Sequence, residues 1–339
     1  LIRFFRRYGL RLRRKAWVLR AALAGRRLAV VADRTAAIAQ DEILLVSTLR
    51  NEAARLPAFL RHYRALGVGH FLIVDNASSD GSSAMLRGQP DVSLWHTADS
   101  YRAARYGADW MMALLARHGT GHWVLIVDPD ELLVYAHCDT RPLAALTGWL
   151  EAAGQRAFPA VLLDLYPGPE GAEGSDQPPS GPQPPPEKGW FDPASLCLRA
   201  NRRMGNLWVQ GGPRARAFFA THPRRAPALN KTPLVRWKAG DALASSTHGL
   251  LPPPLNRSWD ARGGLAASGC LLHTKFLSPF EGRASEESAR AQHYGAGREY
   301  AAYRDGLAQG ARLWSPASRP YRGWRDLEDR GLLSAGDWA

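Results

Sequence analysis

The sequence predicts an α/β fold, a mostly parallel central sheet flanked by helices. Three observations carry that expectation. Three largely apolar runs, Ile43 to Thr48, Phe71 to Val74 and Trp123 to Val127, have the length and composition of strands buried on both faces. Segments of helical period alternate with them, the pattern that builds a parallel sheet. Each run then stops in polar residues: Arg50, Asn51 and Glu52 after the first, Asp75 after the second, and Asp128, Asp130 and Glu131 after the third. Open α/β sheets bind ligands beyond the carboxyl ends of their strands, so these side chains are expected along one edge.

Taken in order, residues 1 to about 28 read as a basic amphipathic helix in which Phe4, Phe5, Tyr8, Leu12, Trp17 and Leu19 are mixed with arginines. Such a helix lies on an anionic membrane surface or packs on the domain. Strand 43–48 is followed by a helix from Leu56 to Ala65, with Pro57 in its first turn and Gly67 at its stop. Strand 71–74 precedes a short helix from Ser82 to Leu86, then a strand from Val92 to His96. A helix from Ala103 to His118, stopped by Gly119, leads to strand 123–127, a helix from Leu143 to Ala153 and a strand from Val161 to Leu165. Residues 167–189 form a Pro- and Gly-rich loop, with polyproline character around Gln183 to Glu187. Beyond it, short strands are expected at 230–238 and 269–277, a charged helix from Glu281 to His293, and a Trp- and Arg-rich tail from 312. The chain thus divides into a basic helix (1–38), one half of a catalytic domain (39–166), the loop (167–189), a second half (190–300) and a helical C-terminal tail (301–339).

With 45% hydrophobic and 22% charged residues over 339 positions, the composition is that of an ordinary globular protein. The net charge of +13 favours phosphorylated substrates, anionic lipid or nucleic acid. Residues 1–34 hold eleven of the Lys and Arg against a single acid, Asp33. Basic residues clustered there, away from any recognition module, make a nucleic-acid-binding protein the weakest reading. Cys138, Cys197 and Cys270 lack both metal spacing and a disulfide framework, as expected of reduced thiols in the cytosol. Arginines break any apolar core at the N-terminus, and no apolar run approaches the ~20 residues that cross a bilayer. A cytoplasmic location follows as the expectation, with residues 1–28 available for contact with the inner face of the membrane.

The run from His122 to Leu133 carries the most chemistry. Acids at the end of a buried strand are costly to hold together unless a cation compensates them. Pro129 stiffens the corner. Two carboxylates one residue apart, Asp128 and Asp130, can converge on one divalent ion. Oxygen ligands suit Mg or Mn, which usually also carry substrate phosphates. The plain alternative is a solvated turn, since Asp favours such corners. Glu131 either supports the corner and the turn after it or binds the metal directly, Asp75 either meets a ligand at its strand end or caps the helix after it, and Asp80 shapes the turn.

These residues resemble family 2-like glycosyltransferases of GT-A fold, in the bacterial branch whose acidic motif reads Asp-x-Asp-Glu-Leu/Phe-Leu. The matching pieces are Thr48-Leu-Arg-Asn-Glu52, Val74-Asp-Asn-Ala-Ser-Ser-Asp-Gly81 and Val127-Asp-Pro-Asp-Glu-Leu-Leu133, followed by Gly211-Gly-Pro-Arg214, Lys231-Thr-Pro-Leu-Val235, Thr247-His248 and Leu271-Leu-His-Thr-Lys-Phe276. Together they span roughly residues 40–300. The resemblance implies a Rossmann-like sheet, a nucleotide-diphosphate sugar donor, a divalent cation (Mn or Mg), and a glycan, lipid-linked or protein acceptor, as in surface polysaccharide synthesis.

Carried over residue by residue, Asp75 contacts base or ribose, and Arg50, Asn51 and Glu52 line the nucleotide pocket. Asp128 and Asp130 hold the metal, with His273 as a late imidazole ligand. Arg214, Lys231 and Lys275 are candidates to offset charge growing on the diphosphate. Arg102 and Arg105 either reach that diphosphate or lie on an exposed helix face. The sequence departs from the family pattern in its catalytic base. No acid occurs between Asp192 and Asp241, which leaves Asp164, Asp192, Asp241 and His248 as candidates. A metal-using nucleotidyltransferase is the competing enzyme class. It usually carries a Gly-rich basic loop after the first strand, where this chain has Arg50-Asn51-Glu52.

Overall fold

Strands buried at every position need cover on both sides, and the architecture supplies it. The computed structural model describes residues 2–169, 184–194, 196–256, 266–277 and 298–338. In chain order the strands are β1 (Ala29–Ala32), β2 (Leu44–Leu49), β3 (His70–Asp75), β4 (Val92–His96), β5 (Trp123–Ile126), β6 (Glu131–Val134), β7 (Ala157–Asp164), β8 (Trp190–Phe191), β9 (Leu196–Asn201), β10 (Asn206–Gly211), β11 (Asn230–Arg236), β12 (Ala242–Leu243), β13 (Leu250–Leu251), β14 (Gly269–His273) and β15 (Arg319–Pro320). The helices are α1 (Ile2–Gly25), α2 (Leu56–Leu66), α3 (Ser82–Arg87), α4 (Ala108–Leu114), α5 (Leu143–Ala152), α6 (Gly212–Phe218), α7 (Arg298–Ala308) and α8 (Trp324–Asp329).

Nine strands form one sheet in the order β1-β4-β3-β2-β5-β11-β7-β14-β6. Strands β2, β3, β4 and β5 pair in parallel, as do β7 and β14, while β11 is antiparallel to both β5 and β7. Those six strands therefore share one direction, and only β1, β6 and β11 oppose it. The expected α/β class with a mostly parallel sheet and flanking helices holds.

Side chains alternate across the strands. Leu45, Phe71, Ile73 and Leu125 face a core completed by α2, α5 and α8, with Phe59, Tyr63, Leu146 and Leu327 buried there. Leu44, Val46, Leu72, Val74, Val124 and Ile126 face the other side, against α1 and α4, with Ala21, Trp110 and Leu114. Helix α2 begins with Pro57 in its first turn and ends at Gly67, whose φ of 96° is the left-handed stop.

Several expectations need correction. The helix expected from Ala103 begins only at Ala108, because Arg105, Tyr106 and Gly107 all have positive φ. A Cβ on Gly107 would lie 2.9 Å from the Thr48 side chain, so the chain turns there to pass close to β2. Strand β7 starts at Ala157 rather than Val161, with Pro159 tolerated inside it. Between the Pro-rich loop and residue 230, where no strand is expected, lies a regular β9–β10 hairpin, and residues 274–276 leave the strand as a short 3-10 turn. The C-terminal segment packs into the core: Trp324, Leu327, Leu333 and Trp338 are buried, and the Trp338 indole donates to the Ala136 carbonyl. The expected helix from Glu281 to His293 and most of the Pro-rich loop lie outside the described residues.

Candidate active site

The shared direction of the six strands gathers their carboxyl ends at one edge. Asp75 ends β3, Asp164 ends β7, His273 ends β14, and Asp128 follows β5. The opposed strands start at that same edge, which brings in Lys231 from β11 and Glu131 from β6. In register, His273 stands opposite Asp164 on one side and Glu131 on the other. Chain order reverses between β2 and β5, since β3 and β4 lie on one side of β2 and the later strands on the other. Such a switch point opens a crevice between the loops that leave the two strands.

One wall of the crevice is two loops zipped together. The Asn51 N–H donates to Ser78 Oγ at 2.9 Å, the Ser79 N–H to Asn51 Oδ1 at 2.8 Å, the Glu52 N–H to Ser82 Oγ at 2.9 Å, and the Ala53 N–H to Asp80 Oδ2 at 2.9 Å. Asn51 adopts φ 53°, a conformation its short polar side chain tolerates. Arg50 donates to the Asn76 carbonyl at 3.2 Å. Asp75 is buried, accepting from the Ser78 N–H at 3.2 Å and from the Ser78 hydroxyl, with His96 Nδ1 at 3.4 Å. It shapes this pair of loops, as Asp80 does by accepting from the Ser82 N–H and hydroxyl at the start of α3.

The acid corner follows β5, on the other side of the switch point. The Asp128 carboxylate is 45% exposed and 3.8 Å from Lys231 Nζ, whereas Glu131 is buried and pairs with Lys231 at 2.8 Å. Burial works against charge on Lys231, but Glu131 and Asp128 outweigh it and raise the ammonium above its ordinary range. The strand that delivers Lys231 is bulged: its register shifts between Lys231 and Leu234, across Pro233, which has no N–H to pair. Asp130 is nearly buried, and His273 Nε2 lies 3.3 Å from its Oδ2. Its backbone carbonyl accepts from the Thr274 N–H at 2.8 Å, which ties the corner to the end of β14. Tyr63 of α2 donates to the Glu131 carbonyl at 2.8 Å and accepts from the Leu133 N–H at 3.1 Å, fixing β6 from behind.

Behind His273 runs a buried chain of charges. Its Nδ1 lies 2.6 Å from Asp164, and Arg214 Nε donates to the other Asp164 oxygen at 2.7 Å. Burial pushes the Asp164 carboxyl up, but Arg214 and His273 outweigh it and hold the carboxyl below its ordinary range. Burial likewise lowers His273, and its two carboxylate neighbours outweigh that to raise it. Arg214 continues to Glu299 of α7 at 3.4 Å and to the Tyr303 hydroxyl. The glycine pair Gly211-Gly212, at φ 141° and 67°, ends β10 and aims Arg214 inward from α6.

Several of the expected site residues are held by partners within the protein. Arg214 and Lys231 are bound to Asp164 and Glu131 inside the protein. Arg105 bonds Asp109 at 2.6 Å and the Leu243 carbonyl at 2.8 Å, on the α1 side of the sheet. Among the base candidates, Asp164 is locked between Arg214 and His273. Asp192 accepts from the Tyr166 hydroxyl and pairs with Arg216 at 3.1 Å, and Asp241 pairs with Arg156 at 2.6 Å. His248 Nδ1 bonds the Asn230 carbonyl at 2.7 Å, and burial lowers the ring to about 3, so it stays neutral. Lys275 sits in the turn after His273, where its carbonyl accepts from Arg55 at 3.4 Å. Glu299 and Tyr303 were not foreseen. They lie 85 and 89 positions after Arg214, and no local pattern links them to it.

Among the described residues, no group of three or more His, Cys, Asp and Glu is arranged to hold a metal ion. What the corner offers is a pair, Asp130 Oδ2 and His273 Nε2, with Asp128 exposed beside it. Two adjacent ligands of one octahedral ion lie about 3 Å apart, close to the 3.3 Å seen here. The Asp164–Nδ1 bond is the kind that orients a metal-binding imidazole. The donor set fits a cation that completes its shell with substrate oxygens.

The sequence matches no protein-family model. No curated protein is similar to it. Among solved structures, a 4-diphosphocytidyl-2C-methyl-D-erythritol synthase is similar at 17% identity over 60% of this chain and 76% of that one, with a TM-score of 0.24. A likeness at that level carries no argument about what this chain binds.

Proposed function

We propose that the chain is a metal-dependent glycosyltransferase of GT-A type, which moves a sugar from a nucleoside-diphosphate sugar to a hydroxyl of a glycan, lipid-linked or protein acceptor. The observation that carries this reading is the acid corner at the switch point, where Asp128 is exposed and Asp130 faces His273 Nε2. Mg and Mn are the cations its donors suit, and Asp128, Asp130 and His273 are the residues that would hold one. When bound, such a cation supplies Lewis-acid stabilisation of charge on a departing diphosphate.

The chain's own residues do the rest. The zipped loops of 50–53 and 76–82 form a rigid wall for the nucleoside. Lys231 offsets Glu131 and keeps three acids tolerable at one corner. Asp164, held by Arg214, fixes the ring of His273. Asp164 and Asp192 are both paired and buried, so neither is placed to take a proton from an acceptor.

The test is thermal stability with uridine, guanosine, cytidine and adenosine diphosphates, each with and without Mn. A ligand at about a hundred times its dissociation constant adds about 2.7 kcal/mol. One base should stabilise the protein, and only with the metal. The matching nucleotide sugar should then release nucleoside diphosphate on incubation. If no nucleoside diphosphate stabilises the protein in Mn or Mg, the proposal fails. Release of inorganic pyrophosphate from a nucleoside triphosphate would favour the nucleotidyltransferase reading instead.

A further inference from the structure

Helix α1 has two apolar faces, and the protein covers one. Leu10 and Ala21 are buried toward α4, with Trp17, Val18 and Ala24 packed partly against the same core. Polar ties fix that face: Arg20 bonds Asp109 and the Ala103 carbonyl, Arg117 donates to the Gly25 carbonyl at 3.1 Å, and the Arg105 guanidinium lies 4.9 Å from the centre of the Trp17 ring. On the opposite side, Tyr8, Leu12, Leu19 and Leu23 recur at steps of four, seven and four residues, which aligns them in one stripe. They are 53%, 50%, 64% and 52% exposed. Of the seven large hydrophobics exposed among the described residues, six lie between Tyr8 and Val31.

The surround of this stripe is cationic. Helix α1 carries eight Lys and Arg and no acid, and Arg11, Arg13 and Lys15 are exposed. A solvated face has no use for four aligned apolar side chains. Nucleic acid would engage the charges and leave the leucines in water. A second copy of the chain would set two strongly cationic helices against each other. An anionic bilayer satisfies both features, because its headgroups meet the arginines and its acyl boundary takes the leucines. Among the described residues no helix is long and apolar enough to cross a membrane, which is consistent with side-on contact.

We infer that the outward stripe of α1 docks the protein on an anionic lipid surface, with α1 lying in the headgroup plane while it stays packed on α4. Arg27, just past the helix, pairs with Asp99 at 3.6 Å, in the loop that leaves the carboxyl end of β4. The docking face thus adjoins the edge that bears the candidate site. This docking rests on the exposed stripe and its cationic surround and does not depend on the proposed reaction.

The test is co-sedimentation of the full chain with vesicles of phosphatidylcholine, and of phosphatidylcholine with phosphatidylglycerol at about one part in three. Wild-type protein should pellet with the anionic vesicles, less so as salt is raised, and stay in solution with the neutral ones. The triple variant Leu12→Ser, Leu19→Ser, Leu23→Ser should lose roughly a hundredfold in partitioning. Its melting temperature should not fall, since all three side chains are exposed. Arg11→Gln with Lys15→Gln should lose about tenfold. Absence of binding to anionic vesicles overturns the inference. So does a triple variant that binds like wild type, or a wild-type protein that buries the stripe by dimerising in solution.

Discussion

Asp128 and Asp164 are both acids at the carboxyl edge, yet their surroundings assign them opposite duties. Asp128 is half in solvent, with Lys231 3.8 Å away. Asp164 is buried between a guanidinium and an imidazole. Removing the charge of Asp164 leaves Arg214 buried without its main partner, and breaking a buried pair in this way costs about 3–5 kcal/mol. Asp164→Asn is therefore expected to lose about 3 kcal/mol in urea unfolding, whereas Asp128→Asn should stay within about 0.5 kcal/mol of wild type and lose Mn-dependent nucleotide binding. The reverse pattern would show that the roles are misassigned. Sequence alone could rank Asp128 and Asp130 because a buried strand announces them. It could not distinguish Asp164 as a support from Asp164 as a base, since that depends on Arg214, fifty positions later, arriving on α6.

At the scale of elements, the strands were legible because their apolar runs are continuous and their ends polar. The β2–β3–β5 core and α2 follow directly from those patterns. The start of α4 was not legible, because the sequence from Ala103 has helical composition while tertiary packing forces three consecutive positive φ values at Arg105, Tyr106 and Gly107. Only glycine combines that backbone with the close approach to Thr48. Gly107→Ala should therefore cost about 2 kcal/mol from the left-handed backbone, with further strain from the 2.9 Å contact. Thermal unfolding measures it, and a variant as stable as wild type would contradict the packing argument. The β9–β10 hairpin and β6 were also missed. Strand β9 has no fully buried residue, so it lacks the apolar run that betrays a buried strand.

For the whole molecule, burial of neutral imidazole sets an acid limit on stability. His62, whose Nε2 bonds the Leu133 carbonyl at 3.0 Å, is lowered by burial to about 4. The unfolded chain takes up that proton near the ordinary histidine value of about 6.5. Between those two values the unfolded state binds more protons, so stability is full above about pH 6.5 and falls as pH drops toward 4, by at most about 3 kcal/mol from this group. His62→Gln, which keeps a donor for Leu133, should flatten that part of the stability–pH curve; an unchanged slope would mean the ring protonates freely in the native state. Across the molecule, the sheet and the edge where the candidate residues gather could be read from the sequence, but the partners of each of those side chains could not, because β6, β7, β11, β14 and α6 bring them together from distant positions. The central claim is that this edge grips a cation on a nucleotide diphosphate. Its most direct test is a crystal structure with Mn and the stabilising nucleoside diphosphate, read through the anomalous signal of the metal. The account predicts one peak bridging Asp130 Oδ2, His273 Nε2 and the diphosphate, with Asp128 turned toward it. A nucleotide bound elsewhere, or a corner in which Asp130 and His273 stay bonded to each other with no metal between them and the phosphates, would contradict it.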